Sequence, residues 1–508
     1  MHRSVNPGKL SPTVRKLLAG ILIGMAAAIL AVGAGSAGLL ERAELNTYDW
    51  RMERVASPAN ANPDIVLIEI NDTSLHDVAR FAGRWPWPRV VHSYIFDFLK
   101  RAPAKVIVFD VMLTENDTRS STIAGQEWKG AASDNALAES VAANGNVIVL
   151  GDATAPGGTE DEDRDAAQWS DRGYRVDDLA EPRPLVLAPY DALTRAANEI
   201  GHNYLKLDRD GPARRIAPFV INKGRVLPSL GMAAAIAVMK IQPGEVSIAG
   251  PSSIRIRDRT IPLIDREMLI NYRVPALVHN QRPFKNYEAR TIIASEDQLL
   301  GGEKPLVDPA EFKDKIVFIG TSASGLADVF QTPFGKATMP GIQLHASIAD
   351  SVLSNRFIRE AGTASQVATT VVAAIAVGLA TVLLPFTAAA FAALAAVGAW
   401  TWASLALFRD GLWIALVQPI GAIAVALFGG TAYRYFVEDR EKRKMRHLFG
   451  RYVAKDVCEQ LIANPALAEL GGKRRDMTVL FSDIRGFTTV TEKGNPEELV
   501  AQLNEYFS

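Results

Sequence analysis

One short segment near the end of the chain combines residue types that could bind a metal ion and phosphate. Asp483 follows an apolar run, Met477–Ser482, that predicts a β-strand, and a turn containing Gly486 comes next. A carboxylate that leaves a strand stands at the edge of a sheet, where Mg²⁺ can bind it together with phosphate oxygens. The backbone N–H groups of residues 486–488 could hold those phosphates, since a glycine lets the chain approach closely. A turn without any metal is the alternative that these residues alone leave open.

A helix is predicted shortly after that turn. Asn495 is a good N-cap, Pro496 suits the first helical position, and Glu497 and Glu498 place negative charge in the first turn. The predicted order is therefore a strand, a glycine-containing turn and a helix.

Three further carboxylates follow or flank predicted strands in the long middle segment: Asp72, Asp110 and Asp328. Strand ends open into the crevice of an α/β sheet, so these side chains could bind a cation or another ligand. Helix capping and turn formation are the alternative and commoner use of such residues. Trp85-Pro-Trp-Pro88 is a stiff aromatic turn that could form a ligand platform or pack locally. Because no serine–histidine–aspartate or metal-ligand spacing stands out, this segment is expected to bind or sense.

The carboxylates of the middle segment belong to a predicted α/β domain, for which we expect a parallel or mixed sheet. Near-continuous apolar runs suit strands that are covered on both faces by helices. Helical patterns occur at Val90–Lys100 and Asp134–Ala143, whereas Ala153–Pro184 has the composition of a loop. The predicted strands are Ile65–Ile70, Lys105–Asp110, Asn146–Leu150 and Lys315–Gly320.

Three uncharged stretches predict four membrane-spanning helices. Leu17–Leu40 and Gly411–Tyr433 each fit one crossing of about 20 residues, and Ala361–Phe408 is long enough for two, with Pro385 at the turn. The predicted spans are residues 17–40, 363–384, 387–408 and 412–434. The three stretches contain no Asp, Glu, Lys, Arg or His, which argues against a transporter.

Basic residues set the expected orientation of these spans. The tail at residues 1–16 is basic, and the basic cluster Arg440–Arg446 follows the last span. Because basic flanks stay in the cytoplasm, both termini are expected inside and residues 41–360 outside. A cleaved signal peptide is the alternative for the first span, although an apolar core of about 7–15 residues would be usual for one.

Charge and cysteine content exclude several classes of protein. The 508 residues include 55 basic and 56 acidic side chains, a net charge of −1, whereas a nucleic-acid binder would be clearly basic. Cys458 is the single cysteine, so neither an intrachain disulfide nor a cysteine-based zinc site can form. Hydrophobic residues make up 48% of the chain, too many for a mainly disordered protein.

Residues 435–470 are predicted to form a cytoplasmic signalling helix or linker. From Val437 to Leu461, apolar residues recur three or four positions apart, which is typical of a helix with one apolar face. Such a face suits pairing with a second copy of the chain, or packing on the chain's own following domain. The sequence leaves both arrangements open.

The middle segment, residues 41–360, carries an ordered set of motifs. They are Tyr48-Asp-Trp-Arg51, Trp85-Pro-Trp-Pro-Arg89, Phe109-Asp110, Asp208-Arg-Asp-Gly-Pro-Ala-Arg214, Asn271-Tyr-Arg273, Lys315-Ile-Val-Phe-Ile-Gly-Thr321, Asp328 and Met339-Pro-Gly-Ile-Gln-Leu-His-Ala346. This order resembles the second type of cyclase/histidine-kinase-associated sensory extracellular (CHASE) domain. In that family the domain is followed by three membrane helices and an intracellular output module. The resemblance implies no particular ligand.

Residues 471–508 carry a more specific string, Arg475-Asp-Met-Thr-Val-Leu-Phe-Ser-Asp-Ile-Arg-Gly-Phe-Thr488, preceded by Phe449-Gly-Arg-Tyr-Val453 and Gly471-Gly472. It closely resembles the opening strand of class III adenylate/guanylate cyclases, whose domain is α+β and ferredoxin-like. The resemblance implies that Asp483 is the first of two metal-binding aspartates and that the Ile484 carbonyl also binds the metal. It further implies that Gly486, Phe487 and Thr488 line the triphosphate. Two Mg²⁺ ions (or Mn²⁺) and a homodimer, formed through the cytoplasmic helix and the cyclase domain, are implied with it.

Together the resemblances imply a receptor-type cyclase, multi-pass in a bacterial inner membrane, that converts ATP (or GTP) into the 3′,5′-cyclic nucleotide and pyrophosphate. The second metal aspartate and the purine-binding residues of that family would lie beyond Ser508. Because two-metal chemistry needs both carboxylates, the 508 residues by themselves are expected to be inactive. The alternative is a membrane-anchored sensor or scaffold without catalytic output.

Overall fold

The computed structural model describes most of the chain in two compact units. It describes residues 11–123, 125–154, 169, 171–273, 283–326, 329–335, 337–438, 478–488 and 495–506. The first unit comprises residues 1–434 and the second residues 435–508, and each is treated by itself.

The helices of the first unit fall into a membrane set and a set that belongs to a large domain between the first two spans. They are α1 (Pro12–Ser36), α2 (Glu41–Val55), α3 (Asp72–Ala82), α4 (Arg89–Arg101), α5 (Gly130–Asn144), α6 (Asp191–Ala196), α7 (Leu230–Met239), α8 (Ala289–Leu300), α9 (Gly341–Leu353), α10 (Thr363–Leu383), α11 (Phe386–Arg409) and α12 (Val417–Tyr433).

The strands of the first unit form one large sheet and several small ones. They are β1 (Ile65–Ile70), β2 (Val106–Asp110), β3 (Ser120–Ile123), β4 (Gln126–Lys129), β5 (Val147–Gly151), β6 (Glu181–Pro182), β7 (Glu199–His202), β8 (Arg215–Ile216), β9 (Phe219–Asn222), β10 (Arg225–Pro228), β11 (Val246–Gly250), β12 (Ser253–Ile256), β13 (Arg259–Pro262), β14 (Met268–Leu269), β15 (Lys285–Glu288), β16 (Ile316–Thr321), β17 (Val329–Gln331), β18 (Thr338–Pro340), β19 (Arg359–Glu360) and β20 (Leu412–Trp413).

The large sheet has six strands in the order β15-β1-β16-β2-β5-β7, and every neighbouring pair is parallel. The four predicted strands are confirmed, each within a residue, as β1, β2, β5 and β16. Of the parallel or mixed sheet that the sequence predicts, this core has the parallel form, because helices cross over between its strands and return the chain to the same edge. Antiparallel pairs are found in the small sheets, such as β11-β12-β13.

Side chains of the large sheet alternate between two apolar cores, because successive residues of a strand point to opposite faces. From β1, Val66 and Ile68 enter a core formed with α3, α4, α5 and α8, whereas Ile65 and Leu67 enter one formed with α7 and α9. The large domain is therefore a three-layer arrangement of helices, sheet and helices, and the sheet is buried on both faces as its apolar runs predict.

A further apolar core joins the large domain to the membrane helices. It contains Tyr48 and Met52 of α2, Ile254 of the small sheets, and Phe408 and Trp413 at one end of the spans. The large domain and these span ends thus share a continuous core.

In the part of the chain that the structure describes, four helices are long and apolar enough to cross a membrane: Thr13–Ser36, Thr363–Leu383, Phe386–Arg409 and Val417–Val437. Pro385 is the N-cap of α11, as the predicted turn requires. The last span begins later than predicted, since Leu412 and Trp413 pair with Arg359 and Glu360 in a short parallel ladder. Backbone groups held in that ladder are not available to start a helix.

Small residues allow the first two spans to pack closely. A Cβ added to Gly24 would lie 2.5 Å from the Cα of Ile375, and one added to Gly378 would lie 2.5 Å from the carbonyl oxygen of Gly20. Close backbone approach through small residues is how membrane helices gain van der Waals contact.

The second unit contains a helix, α13 (Pro496–Tyr506), and no strand among its described residues. Asn495 caps this helix by accepting from the Glu497 N–H at 3.1 Å, as predicted. The predicted strand Met477–Ser482 is not formed over residues 478–482, because no described segment pairs with it and a strand needs a hydrogen-bonded neighbour. Met477, and the predicted linker apart from residues 435–438, lie outside the described residues.

Substituting Gly24 with leucine is expected to lower the free energy of unfolding by about 1–3 kcal/mol, because overpacking a close contact costs that much. Gly33→Leu is the matched control, since Gly33 lies on the same helix and nothing lies within 4 Å of a Cβ added there. Denaturation of the protein in lipid nanodiscs would measure both variants. Equal stability of the two would contradict this packing of the spans.

His92 makes the stability of the large domain depend on pH. It is 1% exposed among Trp85, Trp87 and Phe109, whose ring centroids lie 5.4–5.8 Å from its own. Burial, aided by the charge of Arg89, lowers the pKa of His92 from 6.5 to about 3. The unfolded chain therefore binds a proton that the folded state does not bind between pH 6.5 and pH 3. The free energy of unfolding is therefore at its full value above pH 6.5 and decreases as the pH falls through that window.

We expect His92→Phe to reduce the acid sensitivity of unfolding. Below pH 6.5, the free energy of unfolding of the variant should exceed that of the wild type by about 1.4 kcal/mol for each pH unit. The reason is that the variant has no imidazole at position 92 to take up a proton on unfolding. Unfolding at pH values from 7.5 to 5 measures this difference. His76→Gln, at an exposed position, should follow the wild-type profile, and a His92→Phe profile parallel to the wild type would refute the prediction.

Candidate functional site

Helix α2 leads from the first span into the large domain and is the element on which the candidate site is built. Gly38, at φ +73°, lets the chain turn after α1, and Glu41 and Glu44 place negative charge in the first turn of α2. The buried residues Leu45, Tyr48, Arg51 and Met52 are three or four apart, so they form one buried face.

The Arg51 side chain is fully buried on that face and binds one membrane helix and the segment that precedes the last span. Its Nη1 donates to the Ser404 hydroxyl of α11 at 2.7 Å and to the Ile414 carbonyl at 2.8 Å. Its Nη2 donates to Glu44 Oε1 at 2.9 Å. Burial lowers the pKa of Arg51, and the Glu44 carboxylate opposes that effect. We call Glu44, Arg51, Ser404 and Ile414 the junction cluster.

Glu44 uses its carboxylate to cap the last span. Both of its oxygens accept from the Leu416 N–H at 3.0 Å, and Oε2 accepts from the Val417 N–H at 2.8 Å. These are the first N–H groups of α12, which have no partner within the helix. A negative charge at this end also suits the helix dipole. The Glu44–Arg51 pair therefore fixes α2 to the ends of both α11 and α12.

Tyr48 reinforces this contact with aromatic packing. Its ring meets Phe408 edge-on at 5.2 Å between centroids and Trp413 at 5.1 Å. Edge-to-face pairs add about 0.5–1.5 kcal/mol beyond the area they bury.

The large domain holds the same helix through Arg214, which is 1% exposed. Its Nε and Nη2 donate to the two carboxylate oxygens of Asp49 at 2.7 Å each, and it also binds Asp208 and Asp210 at 2.7–2.9 Å. Burial alone would lower the pKa of Arg214, but its hydrogen bonds to the three carboxylates raise it overall. Two charge-assisted bonds in parallel make the Asp49 contact both strong and directional.

Helix α2 is therefore bound to the large domain by Asp49 and to the membrane helices by Glu44 and Arg51. A displacement of the turn that carries Asp208 and Asp210 has a direct route, through Arg214 and α2, to the ends of the last two spans. This arrangement can transmit movement across the membrane boundary.

The predicted carboxylates of the large domain do not form one site. Asp72 accepts from the Ser324 N–H and hydroxyl, both at 3.0 Å, so it holds a loop at the start of α3. Asp110 ends β2 opposite Gly320 of β16. Because β16 lies between β1 and β2, the strands that lead to the two carboxylates are about 10 Å apart. Asp328 lies outside the described residues.

The predicted residues of the second unit are described at residues 483–488. Asp483 is exposed, and the Ile484 carbonyl accepts from the Phe487 N–H at 3.2 Å, which closes a turn. Gly486 has φ +75°, a conformation that favours glycine. Thr488 follows at the end of the turn. Carboxylate and carbonyl oxygens are the donor types that Mg²⁺ prefers. No group of three or more metal-binding side chains occurs among the described residues.

The junction cluster was not predicted from the sequence, although Arg51, Asp208 and Arg214 lie in motifs noted above. A usable signal was present: Glu44, Tyr48 and Arg51 fall four and three residues apart directly after a span. Glu44 and Arg51 are two helical turns apart on the same apolar face, and opposite charges on such a face indicate ion pairing.

Comparisons with known proteins match the chain in two ways. The CHASE2 domain matches over residues 25–385. Adenylate cyclase 1 of Rhizobium meliloti (strain 1021) is 39% identical over 59 residues, which is 12% of this chain and 9% of that protein. An uncharacterized protein of Mycobacterium tuberculosis (strain H37Rv) is 36% identical over 69 residues, 14% of this chain and 12% of that protein. The matches thus span 12% or less of the relatives' length, and no solved structure matches the chain significantly.

Breaking the junction cluster should destabilise the protein strongly. Arg51→Ala is expected to lower the free energy of unfolding by about 3 kcal/mol, because it removes the ionic partner of the partly buried Glu44 carboxylate. The double variant Arg51→Ala/Glu44→Ala should cost less than the sum of the two single changes. Denaturation in lipid nanodiscs measures all three.

Arg54→Ala is the control for this cycle, because Arg54 lies on the same helix but is exposed, with its guanidinium over the Trp50 ring at 4.3 Å. It should change stability by about 1 kcal/mol or less. Additive costs for Arg51 and Glu44 would show that the two side chains are not coupled.

Proposed function

Because the chain belongs to the CHASE2 domain family, we propose that it is a transmembrane receptor whose output is a class III nucleotide cyclase. In this proposal the large domain senses a ligand outside a bacterial inner membrane, and both termini are cytoplasmic. The cyclase converts ATP, or alternatively GTP, into the 3′,5′-cyclic nucleotide and pyrophosphate.

The layout of the first unit is the observation that carries the proposal. One candidate span precedes the large domain, three candidate spans follow it, and the junction cluster ties the large domain to the spans. The string Arg475–Thr488 and the 39% identity with part of Adenylate cyclase 1 favour a cyclase as the output.

In the proposed active site, the chain contributes the first metal-binding carboxylate. The Asp483 carboxylate and the Ile484 carbonyl would hold magnesium, and residues 486–488 would place their N–H groups against the phosphates. Bound magnesium would activate the 3′-hydroxyl and offset the charge of the leaving pyrophosphate. The closely turned backbone at Gly486 leaves room for a phosphate, since no side chain projects there.

We further propose that the receptor acts as a homodimer through the predicted cytoplasmic helix and the cyclase domain. Small rotations of paired helices would then change how two half-sites meet. Movement at α2 would reach those helices through the end of α12 that Glu44 caps.

The test is to replace Asp483 with alanine in the protein that carries the complete cyclase domain. Cyclic nucleotide formation from Mg²⁺-ATP and from Mg²⁺-GTP should fall by at least about 10³-fold, since a two-metal site loses one of its carboxylate ligands. Glu498→Gln is the matched control, because Glu498 is exposed on α13 and outside the proposed site.

Retained activity in Asp483→Ala would refute the assignment of the metal-binding residue. If the wild-type protein formed no cyclic nucleotide from either substrate, a membrane-anchored sensor or scaffold without catalytic output would replace the cyclase. Use of both substrates by the wild type, with loss of both in the variant, would support the proposal and establish the purine preference.

A further inference from the structure

A cavity of about 460 Å³ lies on the helical face of the large domain, away from α2. Helices α3, α4 and α8 form its walls, and Ile123 of β3 closes one side. Its volume falls within the range of about 300–1,000 Å³ that small-molecule sites occupy. The strand-edge carboxylates Asp72 and Asp110 do not line it.

Two large apolar side chains at this cavity are exposed to solvent. Phe81 is 49% exposed and Leu306 is 65% exposed, while Val91 and Tyr94 line the wall behind them. Covering such side chains with an apolar ligand body would be favourable, at about 25 cal/mol for each Å² removed from water. The walls therefore suit a molecule with an apolar or aromatic body.

The charged groups of the cavity leave one carboxylate without a partner. Arg290 donates to Glu288 at 2.6 Å and to Asp77 at 2.9 Å, so its charge is already neutralised. Asp297 also lines the cavity, is exposed, and forms no ion pair with any described residue. The lining contains two carboxylates, Asp77 and Asp297, and one guanidinium, Arg290, so its net charge is −1. A cationic ligand group would complement it.

Tyr94 lies close enough to Asp297 for that carboxylate to raise the pKa of its phenol, after the larger effect of burial. An aromatic ring beside a carboxylate is a favourable place for an organic ammonium group, which is attracted to both. The ring of Phe81 offers a second aromatic surface in the same cavity.

We propose that this cavity is the ligand site of the sensor and that it binds a small organic ammonium compound with an apolar or aromatic body. The ammonium group lies against Asp297 and Tyr94, and the body covers Phe81 and Leu306. This inference deepens the receptor function proposed above, but binding at the cavity is measured without any cyclase output.

The test is calorimetric titration of the full chain in zwitterionic lipid nanodiscs, with empty nanodiscs as the blank. Benzyltrimethylammonium is the probe, and benzyl alcohol and benzoate are its neutral and anionic counterparts. The ammonium compound should bind tightest and benzoate weakest. Equal or tighter binding of benzoate, or no binding of the ammonium compound, would overturn the proposal.

Asp297→Asn removes the charge at nearly constant volume and should weaken ammonium binding about fivefold, while leaving benzyl alcohol unchanged. Leu306→Ser should weaken both ligands, because it removes exposed apolar wall. Asp258→Asn is the matched control, at an exposed position outside the cavity lining, and should bind like the wild type.

Unchanged ammonium affinity in Asp297→Asn would refute the assigned carboxylate. The binding test and the Asp483→Ala test are independent. A cavity that binds no ammonium compound would not change the expected loss of cyclic nucleotide formation, and retained cyclase activity in Asp483→Ala would not change the expected binding.

Discussion

The buried pair Glu44–Arg51 sets the geometry on which the arrangement of spans and large domain depends. Removing a carboxylate and a guanidinium from water costs several kcal/mol for each ion, and only complete hydrogen bonding offsets that cost. Completion requires the Ser404 hydroxyl, the Ile414 carbonyl and the free N–H groups of Leu416 and Val417. These groups meet only when α2, α11 and α12 converge at one point. The pair therefore determines where α2 lies relative to α11 and α12, in addition to contributing to stability.

Arg214 imposes a similar condition from the other side of α2. Because it binds Asp49 and two aspartates of a neighbouring turn, α2 cannot shift along its axis without separating charges on one side or the other. A helix fixed in this way responds to its neighbours as a rigid element. The first two spans extend that rigidity, since the backbone contacts at Gly20, Gly24 and Gly378 leave little freedom to slide.

Secondary structure could be predicted from the sequence where it depends on residues close together in the chain. Apolar runs predicted β1, β2, β5 and β16, uncharged stretches predicted the spans, and Asn495-Pro496 predicted the start of α13. Strand direction and the junction cluster depend on partners far apart in the chain. Arg51 and Ser404 are 353 residues apart, and β16 lies between β1 and β2 although it follows both by more than 200 residues. A single sequence contains no periodicity that brings such partners together.

The same limit explains why the carboxylates could not be ranked by function before their surroundings were known. In the sequence, Asp72 and Asp483 look alike, since each comes just after an apolar run. In the structure, the carboxylate of Asp72 accepts hydrogen bonds from Ser324. The carboxylates of Glu44 and Asp49 likewise accept hydrogen bonds from other residues of the chain. Asp297 and Asp483 are exposed, and their carboxylates have no partner among the described residues. A carboxylate saturated by the protein's own donors positions the chain, whereas a free one at a cavity or a glycine turn can bind a ligand. That difference in donors is the physical reason for assigning structural roles to the first group and binding roles to the second.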